Sequence, residues 1–448
     1  MIATRLVFSS LRRRSTGFIA SFVALFFGAT ILMTFASLLD TRTAAGPDAG
    51  RTLLLMASVV GGWGMVIVLF ATLSTLSLLI RQRAPELALL KSAGATPSQI
   101  GRMIVGEAAA VAVLASATAV VPSVFAGRWL VGLLGDTGRV PAGLEARFGP
   151  IAVSMGTGIT LLAAITAAAV AALKAARRGA VEALRETGVD TRPTGRIRVI
   201  GAVIVLASGL GCGVVTMTAF TGTEPALMAV GGQGAILAAI GFALLSPALL
   251  GPIAALLAAP LRRAGVSGHL TAAHLRVRSR QLAGVLVPII LFTGIATGTL
   301  SMQAVENTAG TAPARIARSI ETLNYVVVGM IALFAAVMLV NTVVAAVIGR
   351  RREFGRQRLV GATPSQVLRL VGTEGTVLVV VGVLIGALAA AVTVIPYSVA
   401  RTGVLVPDRT IGLYLGVIAV AVILTLGSHV GAAAKALRSP AIQAATRG

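Results

Sequence analysis

RAPELALLKSAGATPSQIGRMIVGE, residues 83–107, returns without a gap as RRREFGRQRLVGATPSQVLRLVGTE, residues 350–374. The hexapeptide GATPSQ is identical in both, and Arg83, Glu86, Arg102 and Glu107 meet Arg350, Glu353, Arg369 and Glu374 in register. Chance does not give that agreement in a chain this rich in Ala, Val and Leu, so the chain is an internal duplication. The local chemistry reads as helix, corner, helix. In the first copy residues 85–93 form a short helix stopped by Gly94 at a C-cap position. Thr96 then caps a second helix, Pro97 suits its first position, and Gln99 completes the T-x-x-Q spacing of a capping box. Gly361, Thr363, Pro364 and Gln366 spell the same chemistry in the second copy. Each second helix runs into the next apolar segment with no flexible linker, so a push on the short helix would tilt that segment. A tight turn kept only through duplication is the plainer alternative. Against it, the hexapeptide is unchanged while nearby loop sequence has diverged.

The apolar segments around the two stretches place them at a membrane. With 448 residues, 56% hydrophobic and 12% charged, and a mean hydropathy of +0.93, the chain has too little polar residue to coat a soluble globule. Apolar runs at about 17–39, 53–80, 105–134, 150–173, 199–220, 228–259, 283–304, 323–349, 371–397 and 411–434 are each long enough to cross a hydrocarbon core as helix. The expected fold is therefore all-α, a polytopic membrane protein of about ten transmembrane helices. Two parallel four-helix repeats, residues 1–195 and 263–448, are joined by a two-helix linker, residues 196–262. Each repeat has a basic lead-in, two spans, the GATPSQ loop, two more spans and a basic exit. The exits also resemble each other, ALKAARRGAVEAL from Ala172 and AAKALRSPAIQAA from Ala433.

A formal charge of +23 would suit nucleic acid if it were gathered on one domain, but it is spread over separate connectors, and no nucleic-acid partner is expected. Most of the Lys and Arg fall on the side of the N-terminus, which by the positive-inside rule puts both termini and both GATPSQ loops in the cytoplasm. Basic runs such as residues 12–14 and 350–352 suit anionic lipid headgroups. The connectors on the other side, residues 40–52, 136–149, 221–227, 305–322 and 398–410, leave no room for a folded outer domain. Trp129, Tyr325, Tyr397 and Tyr414 sit at outer ends of spans, where rings suit the headgroup layer. Gly209 with Gly213, and Gly382 with Gly386, have the spacing of close helix packing. The N-terminal apolar run mimics a signal peptide but has a counterpart in the second copy, so it is expected to be retained.

Chemistry on the chain itself is sparse. Cys212 is the single cysteine, His269 and His274 are badly spaced for one helix face, and His429 is alone in a span, so no metal site is expected. No G-x-x-x-x-G-K-[ST] is present, and the three lysines, Lys91, Lys174 and Lys435, lie outside glycine loops. No mid-span ionisable group offers a proton or sodium site. The chain is expected to be no enzyme and to draw its energy from a partner. Glu107 and Glu374, at the head of equivalent spans, are read as structural: the helix N-terminus favours a carboxylate, and Arg102 and Arg369 are within reach.

The pattern R-x-x-E-x-x-x-x-[KR]-x-x-G-A-T, followed by a basic residue and a Glu at the head of the next span, resembles the FtsX-like permease domain, the membrane part of MacB-type ABC transporters. The resemblance implies that the short helices, roughly residues 85–95 and 352–362, are coupling helices seated in grooves of two copies of a separate ABC ATPase. It assigns ATPase coupling to Glu86, Leu90, Lys91, Gly94, Ala95 and Thr96, and to Glu353, Gln357, Arg358, Gly361, Ala362 and Thr363. ATP and Mg would be bound by that partner, with no cofactor on this chain. The location implied is the bacterial plasma membrane. The second copy departs in detail, with Phe354, Arg356, Gln357 and Arg358 standing for Leu87, Leu89, Leu90 and Lys91, which implies two unequal docking surfaces. Family likeness further implies export or extraction of an amphiphilic or lipid-like substrate by mechanotransmission, with membrane lipids and an extracytoplasmic accessory protein as further partners. The alternative is a non-transport mechanotransmitter that regulates an extracytoplasmic enzyme or sensor. An ATPase-independent transporter is disfavoured by the missing midplane charges.

Overall fold

The structure, a computed structural model, describes residues 15–82, 84–176, 195–219, 225–263, 265–277, 279–309, 314–405 and 409–446. Among them the chain is helical, with no strand. The first repeat contains α1 (Ser15–Arg42), α2 (Pro47–Gln82), the short α3 (Ala84–Ser92), α4 (Pro97–Asp136) and α5 (Pro150–Ala176). The linker contains α6 (Arg196–Thr218) and α7 (Pro225–Arg263). The second repeat opens on a surface helix, α8 (Gly265–Val277), and continues with α9 (Ser279–Ala309), α10 (Ala314–Ile348), the short α11 (Arg351–Leu359), α12 (Pro364–Thr402), α13 (Arg409–Leu437) and α14 (Ala441–Thr446). Ten of these, all but α3, α8, α11 and α14, are long and apolar enough to cross a membrane. They are the ten runs read from the sequence.

The helices form two compact units. In the first, α1 to α5 pack together, and the part of α10 up to Phe334 belongs to the same unit. Its core joins Leu25, Leu76, Val111, Ala112, Ala115, Ala164 and Ala167. The alanine face of α5 lets that helix lie close to its neighbours; Ala163, Ala164, Ala167 and Ala168 are fully buried. Asp40, at the end of α1, accepts hydrogen bonds from the backbone amides of Gly149, Ile151 and Ala152 at 3.0, 3.2 and 2.8 Å. A carboxylate there satisfies orphan donors at the N-terminus of α5 and meets the positive end of its dipole.

In the second unit α9 is the central helix: 94% of its most apolar window is buried. It is enclosed by α7, α12 and α13, with α6 packed on α7 and α12. Glycines allow these approaches, as their spacing predicts. A Cβ on Gly209 would stand 2.8 Å from the Ala238 amide, and one on Gly213 2.9 Å from the Val392 carbonyl. Gly382 and Gly386 meet Ile289 and Thr293 of α9 in the same way. Many hydroxyls inside the spans donate to carbonyls of their own helix, for example Thr293 to Ile289 at 2.6 Å and Thr299 to Ile295 at 2.7 Å.

Tyr397 corrects an expectation. It is fully buried, so its ring faces the protein interior and not the headgroup layer. Its hydroxyl donates to Glu306, which Arg401 also grips through Nε and Nη2 at 2.7 and 2.6 Å. The polar end of the ring is drawn inward to a carboxylate that the sequence does not advertise, so the ring packs among Leu227, Met302 and Val305.

Candidate functional site

The two GATPSQ stretches fold into equivalent corners in which every residue of the hexapeptide has a role. Gly94 and Gly361 adopt φ of +92° and +104°, a region that residues with a Cβ rarely occupy. The amides of Gly94 and Ala95 donate to the carbonyls of Lys91 and Leu90, both at 3.0 Å, and those of Gly361 and Ala362 to Arg358 and Gln357 at 3.1 and 3.0 Å. This pattern is a Schellman closure of the short helix. Thr96 and Thr363 then cap α4 and α12. Gln99 and Gln366 amides donate to the threonine hydroxyls at 3.3 Å, and the threonine amides donate to the glutamine side chains at 2.9 Å. Proline fills the first helical position in both, and the serine hydroxyls lie 3.1 and 3.0 Å from those of the threonines. From the corners α4 and α12 run on as continuous helices of 40 and 39 residues, with Pro122 and Pro396 inside them, so corner and span belong to one helix each.

Each short helix is anchored by a buried apolar side chain. In the first, Leu87 is buried in a cluster with Ile80, Ile100, Ile104 and Ala108. Leu89 and Leu90 are exposed at 63% and 39%. Gly94 and Thr96 are exposed, while Ala95 and Lys91 are half-buried. Arg83 and the side chain of Glu86 lie outside the described residues. In the second copy Phe354 is buried, and Leu359 and Val360 are exposed at 55% and 91%. Gly361 and Thr363 are exposed, and Ala362 and Gln357 half-buried. Two residues assigned to the partner are turned inward. Arg358 donates to the carbonyls of Leu437 and Ser439 at 3.1 and 2.8 Å, which holds α11 to the end of α13. Glu353 pairs with Arg350 at 3.1 Å.

Arg350 is the centre of an ion cluster. Its Nη1 meets Glu374 of α12 at 2.6 Å, its Nε and Nη2 meet Glu353 of α11, and its guanidinium lies 5.6 Å from the Phe354 ring centroid. Burial alone would lower the pKa of this arginine, but the carboxylates of Glu374 and Glu353 outweigh burial and hold it above the ordinary range. His274 of α8 faces both acids, with Nε2 4.0 Å from Glu353 and Nδ1 3.8 Å from Glu374.

The expected pairing of Glu374 with Arg369 is therefore corrected. Five residues along a helix turn a side chain by about 140°, so the exposed Arg369 and the buried Glu374 point apart. The same spacing separates the exposed Arg102 from the buried Glu107. The R-x-x-E spacing, which sets Arg350 and Glu353 one turn apart on a helix, was the available signal for part of the cluster. Nothing in the sequence pointed to His274, which comes from a different helix.

The FtsX-like permease C-terminal family matches residues 58–180 and 325–441, together more than half of the chain. The chain belongs to the FtsX-like permease family. Each matched segment begins within the second span of a repeat and passes through the fourth, so each contains one hairpin. In this FtsX-like permease the first spans, α1 and α9, and the linker pair lie outside the match. Membership implies the membrane component of an ABC-type transporter, a multi-pass membrane subunit and not an enzyme in its own right, associated with an ABC ATPase. No curated protein matches the chain.

Proposed function

We propose that this permease supplies in one chain both membrane halves of a MacB-type exporter, residues 1–195 and 263–448, joined by the linker 196–262. Two copies of a separate ATPase hold ATP and Mg, and each seats one hairpin, α3 or α11, on the cytoplasmic face of the bacterial plasma membrane. Closure of the ATPase pair pushes the hairpins, and α4 and α12 carry the push across the bilayer as rods. Short outer connectors favour a substrate taken from the membrane itself, amphiphilic or lipid-like, and exported or extracted by mechanotransmission.

The observation that carries this reading is the pair of corners: two identical, fully hydrogen-bonded turns, each continuous with a long span and each topped by exposed apolar side chains, Leu89 and Leu90 or Leu359 and Val360. Exposed leucine and valine next to a membrane face, on a rigid element, are what a protein partner covers. The test is a pull-down from native membranes with wild type against Leu89→Asp/Leu90→Asp combined with Leu359→Asp/Val360→Asp, scored for a co-purifying Walker-type ATPase and its ATP turnover. Wild type is expected to retain the ATPase, and the variant to lose it by roughly 30-fold or more with unchanged helicity. Equal retention by both proteins would overturn the assignment.

A further inference from the structure

The second hairpin is closed at both ends. Arg350 stands at the start of α11 and the Gly361 corner follows its end, so α11 folds back along the first turns of α12. Glu374, ten residues after Pro364, lies about 15 Å up α12, close to the length of nine-residue α11 itself. The Arg350–Glu374 contact at 2.6 Å thus ties the far ends of two rods that already share a corner. A two-rod corner held at one point can hinge about its turn, whereas one also tied at the far ends is a triangle and moves as a body. Apolar residues would hold two helices together at least as well as a buried ion pair, so stability alone does not account for the choice of charges.

The cluster also has a third support in reserve. His274 Nδ1 and Glu374 Oε2 are both buried, face each other at 3.8 Å, and have no hydrogen-bond partner among the described residues. A shift of about 1 Å by α8 would bring them to hydrogen-bond distance. The acid that Arg350 grips therefore has a second partner waiting on a different helix.

We infer that Arg350 and Glu374 are positioning residues for force transfer: they lock α11 to α12 so that displacement of the hairpin becomes displacement of the span. Through Glu374 the surface helix α8 is joined to the same lock. This deepens the proposed function and rests on it for the source of the force, but the lock can be tested without an ATPase.

With Cys212→Ser as background, spin labels at Arg356→Cys on α11 and Arg369→Cys on α12, both exposed positions, report the angle between the rods in nanodiscs. The expected result is one narrow distance distribution for the intact lock and a broad or shifted one for Glu374→Gln. Should that variant fail to fold, Arg350→Gln/Glu374→Gln removes both buried charges together and is expected to broaden the distribution equally. A distribution unchanged in the folded variant overturns the lock.

The second arm measures docking and turnover with the ATPase retained by wild type. Glu374→Gln is expected to keep ATPase binding within about twofold while coupled ATP turnover falls about fivefold or more, the split that marks an interaction used only during the working step. A purely structural tie would instead lower binding and turnover together. If wild type retains no ATPase, the docking reading fails, and the distance measurement still decides the lock.

Discussion

The two hairpins share a corner and differ in the side chains they expose around it. At the corner, six identical residues make the same Schellman closure and the same capping box, with hydrogen-bond lengths that agree within 0.1 Å. Away from it, α3 is held through Leu87 by an aliphatic cluster. In the second copy, α11 is held by Arg350 on two carboxylates and by Arg358 on the carbonyls of Leu437 and Ser439; Arg83 and the Glu86 side chain, the first-copy counterparts of Arg350 and Glu353, lie outside the described residues. The exposed faces differ accordingly: Leu89 and Leu90 lie along the first helix, whereas Leu359 and Val360 sit at the turn of the second, beside an exposed Arg356. After duplication the geometry of the turn was held and the surface around it diverged. That is the pattern expected where two equivalent lever arms meet partners in unequal ways.

The largest expected effect comes from removing the charge at the centre of the second hairpin's ion cluster. Arg350→Met leaves Glu374 buried without its partner and is expected to cost about 3–5 kcal/mol, read as a fall in denaturation midpoint in detergent. An equal loss from Arg369→Met would show that the cluster has been assigned to the wrong arginine. Next in size, Arg358→Ala removes two charge-assisted hydrogen bonds from α11 to the end of α13. It is expected to cost about 2 kcal/mol and to raise amide exchange at residues 437–444. Exchange unchanged there would mean that the C-terminal segment is held by other contacts.

Smaller effects sharpen the likeness of the corners. Thr96→Ala and Thr363→Ala each delete one capping hydroxyl and are expected to cost about 1 kcal/mol apiece, equally in the two copies. A twofold difference between them in thermal shift would show that the corners are not energetically equivalent. Smallest of all, Arg102→Ala and Arg369→Ala, at exposed positions, are expected to leave the denaturation midpoint where it is. A clear loss at either would restore the pairing with the buried glutamate five residues on.

The corners were legible in the sequence because everything that makes them is local. Gly94 needs positive φ, Thr96 and Gln99 are three apart, and Pro97 fits one position. Ten spans were legible because length and hydropathy suffice. The starts of α4 and α12 came earlier than the apolar runs at 105 and 371, since the capped polar turns belong to the same helices. The ion cluster was hidden by distance. His274 and Glu374 are brought together only by the packing of α8 on α12, and Tyr397, Arg401 and Glu306 only by that of α9 on α12. Helix periodicity would have ruled out Arg369 as a partner of Glu374 without naming Arg350 in its place. Tyr397 was misread for the same reason: its depth along the span was visible, but the neighbour that draws it inward was not.

The most direct measurement of the central claim is an electron cryo-microscopy map of the permease purified with its ATPase from native membranes. The account predicts two ATPase subunits, one seated on α3 at Leu89 and Leu90 and the other on α11 at Leu359 and Val360, with the two grooves filled differently. Density for the ATPase that touches neither hairpin, or a complex in which both hairpins stay exposed, would contradict it.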